Sequence, residues 1–233
     1  MKPATKVTLL VLLILLIDQT LKIWVKTHLE YGDEIFLFGW KWARIHFVEN
    51  NGMAFGLSLG GEYGKLALSL FRILAVLFLI YYLRFLIKEK ASLGLLASFS
   101  MILAGAVGNI LDSAFYGLIF SESSHHTVAT LFPPGGGYAG FLHGMVVDML
   151  YFPIVEDKIL PDWVPFASNR PFTFFRPVFN IADSAITVGV FSLILFHRQF
   201  FSGRIHPAAE ASAIPDTPEP KPEGEEEPNR ANP

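Results

Sequence analysis

Four apolar stretches constrain this chain more than any other feature. They cover about residues 7–25, 66–87, 93–115 and 178–196. A bilayer-spanning helix needs about 20 predominantly apolar residues, and each stretch is near that length. In lipid the backbone must satisfy its own polar groups, so each stretch is expected to be a helix. The sequence therefore predicts an α-helical polytopic membrane protein with four transmembrane helices. Lys2 and Lys6 precede the first stretch, as in a secretory signal peptide. Asp18, Gln19 and Lys22 then stand where a small-residue cleavage site would be, so an uncleaved helix is expected.

Composition bears on class. Of the 233 residues 17% are charged, against about 25% in a typical soluble domain. That excludes a disordered chain or an ordinary soluble enzyme. The absence of cysteine excludes a disulfide scaffold, a thiolate metal site and a cysteine nucleophile. The net charge of −3 is unevenly spread: residues 207–233 carry seven acids and two bases, hence −5, and residues 1–206 carry +2. The 207–233 segment also holds seven of the fifteen prolines and no aromatic residue. It is expected to be a disordered acidic tail, leaving residues 1–206 as the membrane domain.

Basic residues orient the spans. Lys2 and Lys6, then Arg84, Lys88 and Lys90, then Arg198 and Arg204 all fall on one side of a four-span chain. Both termini are thus expected in the cytoplasm, with outer segments at about 26–65 and 116–177. Ile35–Phe38 and Ala43–Val48 have strand composition, and Asn50-Asn51-Gly52 signals a turn, so a small β-platform is expected on the outer side. Pro133-Pro134-Gly135-Gly136-Gly137 is expected to be loop. Trp163, Phe166, Phe172, Phe174 and Phe175 either lie at headgroup level or form a small core.

Ionisable residues inside spans are costly and point to function. Asp18 lies roughly 16 Å past Val7 at 1.5 Å per residue, beyond the midplane toward the outside. Lys22 comes four residues later on the same helical face. Asn109 and Asp112 sit at the outer end of the third span, and Asn180 and Asp183 at the outer start of the fourth, each pair spaced i,i+3. Asp148, on an outer loop after Val146-Val147, would be expensive to bury unpaired. Three helices and a loop thus bring carboxylates to one depth. The residues alone leave several roles open. Asp18 and Lys22 fit an ion pair between helices, Asn109 and Asn180 fit interhelical hydrogen bonds, and Asp183 fits a helix cap. A small ion-coupled transporter and a non-catalytic assembly factor also remain open.

Two facing carboxylates can hydrolyse a peptide bond without metal or cofactor. They share one proton; the ionised member takes a proton from water and the protonated member polarises the carbonyl. Rival chemistries lack their patterns: His125, His126 and His143 fit no zinc motif, no phosphate loop or Gly-x-Ser-x-Gly elbow is present, and no basic patch fits nucleic acid.

Five ordered stretches resemble a known family. They are Asp18-Gln19-Thr20-Leu21-Lys22, Asn50-Asn51-Gly52-Met53-Ala54-Phe55-Gly56, Gly105-Ala106-Val107-Gly108-Asn109-Ile110-Leu111-Asp112, Val146-Val147-Asp148, and Phe179-Asn180-Ile181-Ala182-Asp183-Ser184-Ala185-Ile186-Thr187-Val188-Gly189. From about residue 7 to 196 the chain resembles the lipoprotein signal peptidases, the type II signal peptidases of bacteria. The resemblance implies an aspartyl endopeptidase of the inner membrane, working as a monomer among membrane lipids. Its substrate would be a prolipoprotein, cut on the N-terminal side of a diacylglyceryl-modified cysteine. It makes Asp148 and Asp183 the catalytic pair. Asp18, Lys22, Asn50, Gly52, Asn109, Asp112, Asn180 and Ala182 would support them or position substrate. There are departures. Ser113 stands where the family usually has arginine, with Arg72, Arg170 and Arg176 as possible replacements. The spacers from Asp112 to Asp148 and from Asp148 to Asp183 are longer than usual, which implies an enlarged outer loop.

Overall fold

A computed structural model of the chain describes residues 1–51, 61–159 and 171–198. Four helices make the bundle: α1 (Pro3–His28), α2 (Gly61–Lys88), α3 (Leu93–Leu111) and α4 (Ile181–Phe196). The first three are long and apolar enough to cross a membrane. The fourth is shorter, 16 residues, or about 24 Å at 1.5 Å per residue. Val178 and Phe179, expected within the fourth span, lie outside the helix: Phe179 bridges to Leu150, and Asn180 is the N-cap of α4. The third span runs longer than expected. A π-helical turn, Asp112–Tyr116, and a final turn, Gly117–Ile119, carry it to Ile119.

The α3–α4 pair is the closest-packed in the bundle, and small residues permit it. A Cβ at Gly105 would lie 2.2 Å from the Ala182 carbonyl, and one at Gly189 would lie 2.7 Å from the Ser98 carbonyl. Because α4 starts level with Gly105–Gly108, its first turn sits well below the end of α3. From Gly108 to Ile119 the remaining rise is about 16 Å.

Five strands form the platform at one end: β1 (Glu34–Phe36), β2 (Arg44–Asn50), β3 (Val146–Tyr151), β4 (Val155–Ile159) and β5 (Pro171–Phe174). β1, β2 and β3 make one antiparallel sheet in that order, and β4 and β5 make a separate antiparallel ribbon. Asp148 therefore lies on a strand, not on the expected loop. Val146 through Met149 are all buried between β2 and the bundle, so β-branched residues gain by packing there. Phe172, Phe174 and Phe175 are exposed rather than forming a core. Trp163 and Phe166 lie outside the described residues, as does 207–233.

Two apolar clusters hold the molecule together. One joins Leu83, Leu86, Leu95, Leu96, Phe99, Leu103 and Leu193 at the end away from the platform. The other joins Val25, Leu29, Phe47, Tyr116, Phe120, Val147 and Met149 beneath the platform. The long 116–145 segment folds back onto the π-turn: Gly144 N–H donates to the Ser113 carbonyl at 2.9 Å, and Ala139 N–H to the Gly117 carbonyl at 2.9 Å. Between the two clusters lies a layer of polar side chains.

Candidate active site

The layer has two parts. The first centres on Lys22, fully buried on the inward face of α1. Its ammonium lies 2.9 Å from Asp18 and 2.8 Å from Asp112, and it donates to Asn109 Oδ1 at 3.0 Å. Gln19 bridges the same two acids, at 3.1 Å to Asp18 and 2.9 Å to Asp112. Tyr116 donates to Gln19 Oε1 at 3.1 Å. Burying such charges is tolerable only when every one is paired and hydrogen-bonded.

The second part centres on Asp148 and Asp183. Asp148 faces Val48 across the β2–β3 ladder, and Asn50, two residues along β2, donates to its Oδ2. Asn180 donates to its Oδ1 at 2.7 Å and to Asn109 Oδ1 at 3.1 Å. Asn109 in turn donates to Asp183 Oδ1 at 2.8 Å. Asp183 also closes a capping box with Asn180, whose Oδ1 accepts from the Asp183 N–H at 2.8 Å. The two asparagines thus form a relay between the two carboxyls. They are both interhelical glue and the groups that aim the acids. Asp148 is only 3% exposed, whereas Asp183 is half-buried. Burial, reinforced by the neighbouring Asp183 charge, pushes the Asp148 carboxyl up to about 7.

Asp18 and Asp112 connect the two parts. Asp112 Oδ2 accepts the Val147 N–H at 3.3 Å, and Asp18 Oδ1 accepts the Ala182 N–H at 2.9 Å. Val147 precedes Asp148, and Ala182 precedes Asp183. Each acid of the Lys22 triad therefore grips the backbone beside one acid of the other pair. Ala182 is fully buried against Gly108 and Asp18, so it acts on α4 rather than facing solvent. Of the residues singled out from sequence, Asp18, Lys22, Asn50, Asn109, Asp112, Asp148, Asn180, Ala182 and Asp183 come together. Gly52 lies outside the described residues.

Ser113 turns back to the Asn109 carbonyl at 3.1 Å. Among the three arginines considered as replacements, Arg72 on α2 is within electrostatic reach of Asp183, Asp112 and Asp148. Arg176 is exposed and within electrostatic reach of Tyr151, and Arg170 lies outside the described residues. Sequence reasoning assigns no role to Gln19 or Tyr116. It also misses Lys26, buried with Glu49 at 2.6 Å and Ser123 at 2.8 Å, between the Phe120 and Tyr138 rings. The available signal is spacing: Lys26 continues the Asp18, Lys22 face of α1 at i,i+4.

Fold and site together define a membrane-embedded helical protein whose carboxylates are gathered at one depth beneath a small β-sheet. The family model described as signal peptidase (SPase) II matches residues 10–199, and the chain belongs to that family of peptidases. A lipoprotein signal peptidase of Porphyromonas gingivalis is 49% identical over 197 residues, covering 84% of each chain. One of Amoebophilus asiaticus is 40% identical, covering 80% of this chain and 75% of its own. One of Chlorobium phaeobacteroides is 32% identical, covering 82% and 94%. Two solved structures, both described as bacterial membrane enzymes, share the fold. Their TM-scores are 0.55 and 0.52 at 21% and 22% identity; they cover 86% and 84% of this chain, and 92% and 94% of their own.

Proposed function

We propose that this chain is an aspartyl endopeptidase that removes the signal peptide from diacylglyceryl-modified prolipoproteins, cutting N-terminal to the lipidated cysteine. The observation that carries the reading is the asparagine relay joining Asp148 and Asp183, with Asp148 held at about 7. Two carboxyls so coupled share one proton near neutrality. Asp148, the more deeply buried, holds that proton and donates to the scissile carbonyl oxygen. Asp183 takes a proton from water as the water oxygen bonds to the carbonyl carbon. Collapse of the tetrahedral intermediate breaks the C–N bond: the proton taken by Asp183 passes to the leaving amine, and a hydroxyl of the intermediate returns its proton to Asp148 as the new carboxyl group forms. The Lys22 triad does no chemistry; through Val147 and Ala182 it fixes where the two acids stand.

The membrane setting agrees with this reading. The substrate's signal segment is itself a membrane helix, so its cleavage point meets a site placed below the platform. The basic residues at the opposite end support an orientation with both termini in the cytoplasm of a bacterial inner membrane and the site near the periplasmic leaflet. The test is turnover of a diacylglyceryl-modified prolipoprotein by purified protein beside Asp148→Asn and Asp183→Asn. Both variants should melt as folded protein and lose at least about 10³-fold in rate, the scale of a lost acid–base group. A folded variant that cuts at a rate comparable to wild type removes the aspartyl mechanism.

A further inference from the structure

Among the described residues, the polar layer holds four acids, Asp18, Asp112, Asp148 and Asp183, and the Lys22 ammonium pairs with two of them, Asp18 and Asp112. With one proton shared between Asp148 and Asp183, three negative charges still face one positive charge. Such an imbalance is expensive at membrane depth. A second cation is available on α2. Ser69, Arg72, Val76, Ile80 and Leu83 recur at three- and four-residue intervals, which puts them on one helix face. Ser69 and Leu83 on that face are buried, and Val76 and Ile80 pack against the bundle. Ser69 Oγ donates to the Leu142 carbonyl at 3.4 Å, so this part of α2 lies at the platform end, just before β3. Helical side chains lean toward the N-terminus of their helix, and for α2 that is the direction of β3 and Asp148. Arg72 is half-buried there, and Asp183 leads the acids within its electrostatic reach.

We propose that Arg72 is a positioning residue that stabilises the single negative charge of the Asp148–Asp183 pair. It completes the layer at two cations for three charges, from α2, while Ser113 on the π-turn supplies none. The proposal rests on the aspartyl reading above. The groups facing the pair are Asp18 and Lys22 from α1, Arg72 from α2, Asn109 and Asp112 from α3, Asn180 from α4, and Asn50 from β2. Of these Arg72 is the one whose removal takes away a cation without opening the Lys22 triad.

The experiment is a pH–rate profile with a diacylglyceryl-modified prolipoprotein peptide, for wild type, Arg72→Gln and Arg72→Lys, with melting curves for each. A cation favours the ionised form of a nearby carboxyl pair, so its loss moves the acid limb of kcat/KM upward. Arg72→Gln should move that limb up by about one pH unit, a loss of about tenfold on the acid side. Arg72→Lys should keep the limb near its wild-type position. A glutamine profile that superposes on wild type overturns the proposal. So does an equal loss at every pH accompanied by a lower melting temperature, which is a packing effect. If Arg72→Gln is not recovered folded, Arg72→Lys decides: an unmoved limb upholds the proposal and an upward-moved limb overturns it. Asp148→Asn and Asp183→Asn run in parallel separate the two ideas. If they are dead and Arg72→Gln is unchanged, only the role of Arg72 fails; if they cut, the aspartyl reading itself fails.

Discussion

The two pairs of acids in the polar layer are held by opposite means. Asp18 and Asp112 flank a full positive charge on Lys22. Asp148 and Asp183 receive asparagine amides from Asn50, Asn180 and Asn109. A cation at contact distance ties a carboxylate to one place by direct charge pairing. An amide donor fixes a carboxyl's position while allowing its charge to change. The first arrangement suits structure, the second proton transfer. The backbone bonds to Val147 and Ala182 tie the fixed pair to the changeable one.

Three changes would break or sharpen this contrast. The largest effect is expected from Lys22→Met, which leaves two buried carboxylates without their cation. Loss of one partner of a buried ion pair costs about 3–5 kcal/mol. The melting temperature should fall by roughly 10 °C, at about 2–4 °C per kcal/mol for chains of this size. A Lys22→Met protein that melts with wild type would show that the triad is not structural.

Asn180→Ala comes next. It removes the bond to Asp148 and the cap of α4 together, and a lost N-cap costs about 1 kcal/mol. The rate per folded molecule should fall about 10²-fold, the lower range for acid–base groups, with a smaller change in melting than for Lys22→Met. If its melting falls further than that of Lys22→Met while its rate holds, the asparagines are glue alone.

The last effect concerns stability against pH. The folded protein holds the Asp148 proton up to about pH 7, whereas an unfolded aspartate releases it near about 3.9. The stability that Asp148 contributes is therefore present below about 4 and lost as pH rises through about 7. Asp148→Asn, which has no proton to lose, should gain melting temperature over wild type at pH 8 relative to pH 4. Parallel melting curves at both pH values would contradict the raised carboxyl.

Much of the fold is legible in the chain. The four helices, the platform strands and the common depth of the acids come from hydropathy, strand composition and helical rise, all of which are local. The Asn109–Asp112 and Asn180–Asp183 spacings put each pair on one helix face before any packing is known. Other features are not legible. Asp148 reads as loop because Val146–Tyr151 becomes a strand only once β2 and Phe179 lie on either side of it. The fourth helix reads as starting at 178, since Val178 and Phe179 are as apolar as the body of that helix; the pairing of Phe179 with Leu150 keeps the chain out of the helix there. Gln19 and Tyr116 carry no signal, because the contacts that give them a role, Gln19 to Asp112 and Tyr116 to Gln19, span about 90 or more residues.

The sequence by itself determined that four apolar stretches form helices, that the polar residues near their ends fall at one level, and which family the motifs resemble. Apolar length and helical rise decide the first two, and neither depends on a neighbour. Only the tertiary structure decided how the acids divide their labour. Asp18 reaches Ala182 across 164 positions of sequence, and Asp112 reaches Val147 across 35. Whether a carboxyl meets an ammonium or an amide depends on which helix packs beside it. That choice rests on small residues such as Gly105 and Gly108, which let α3 approach α4 and α1 closely enough for the contacts to form.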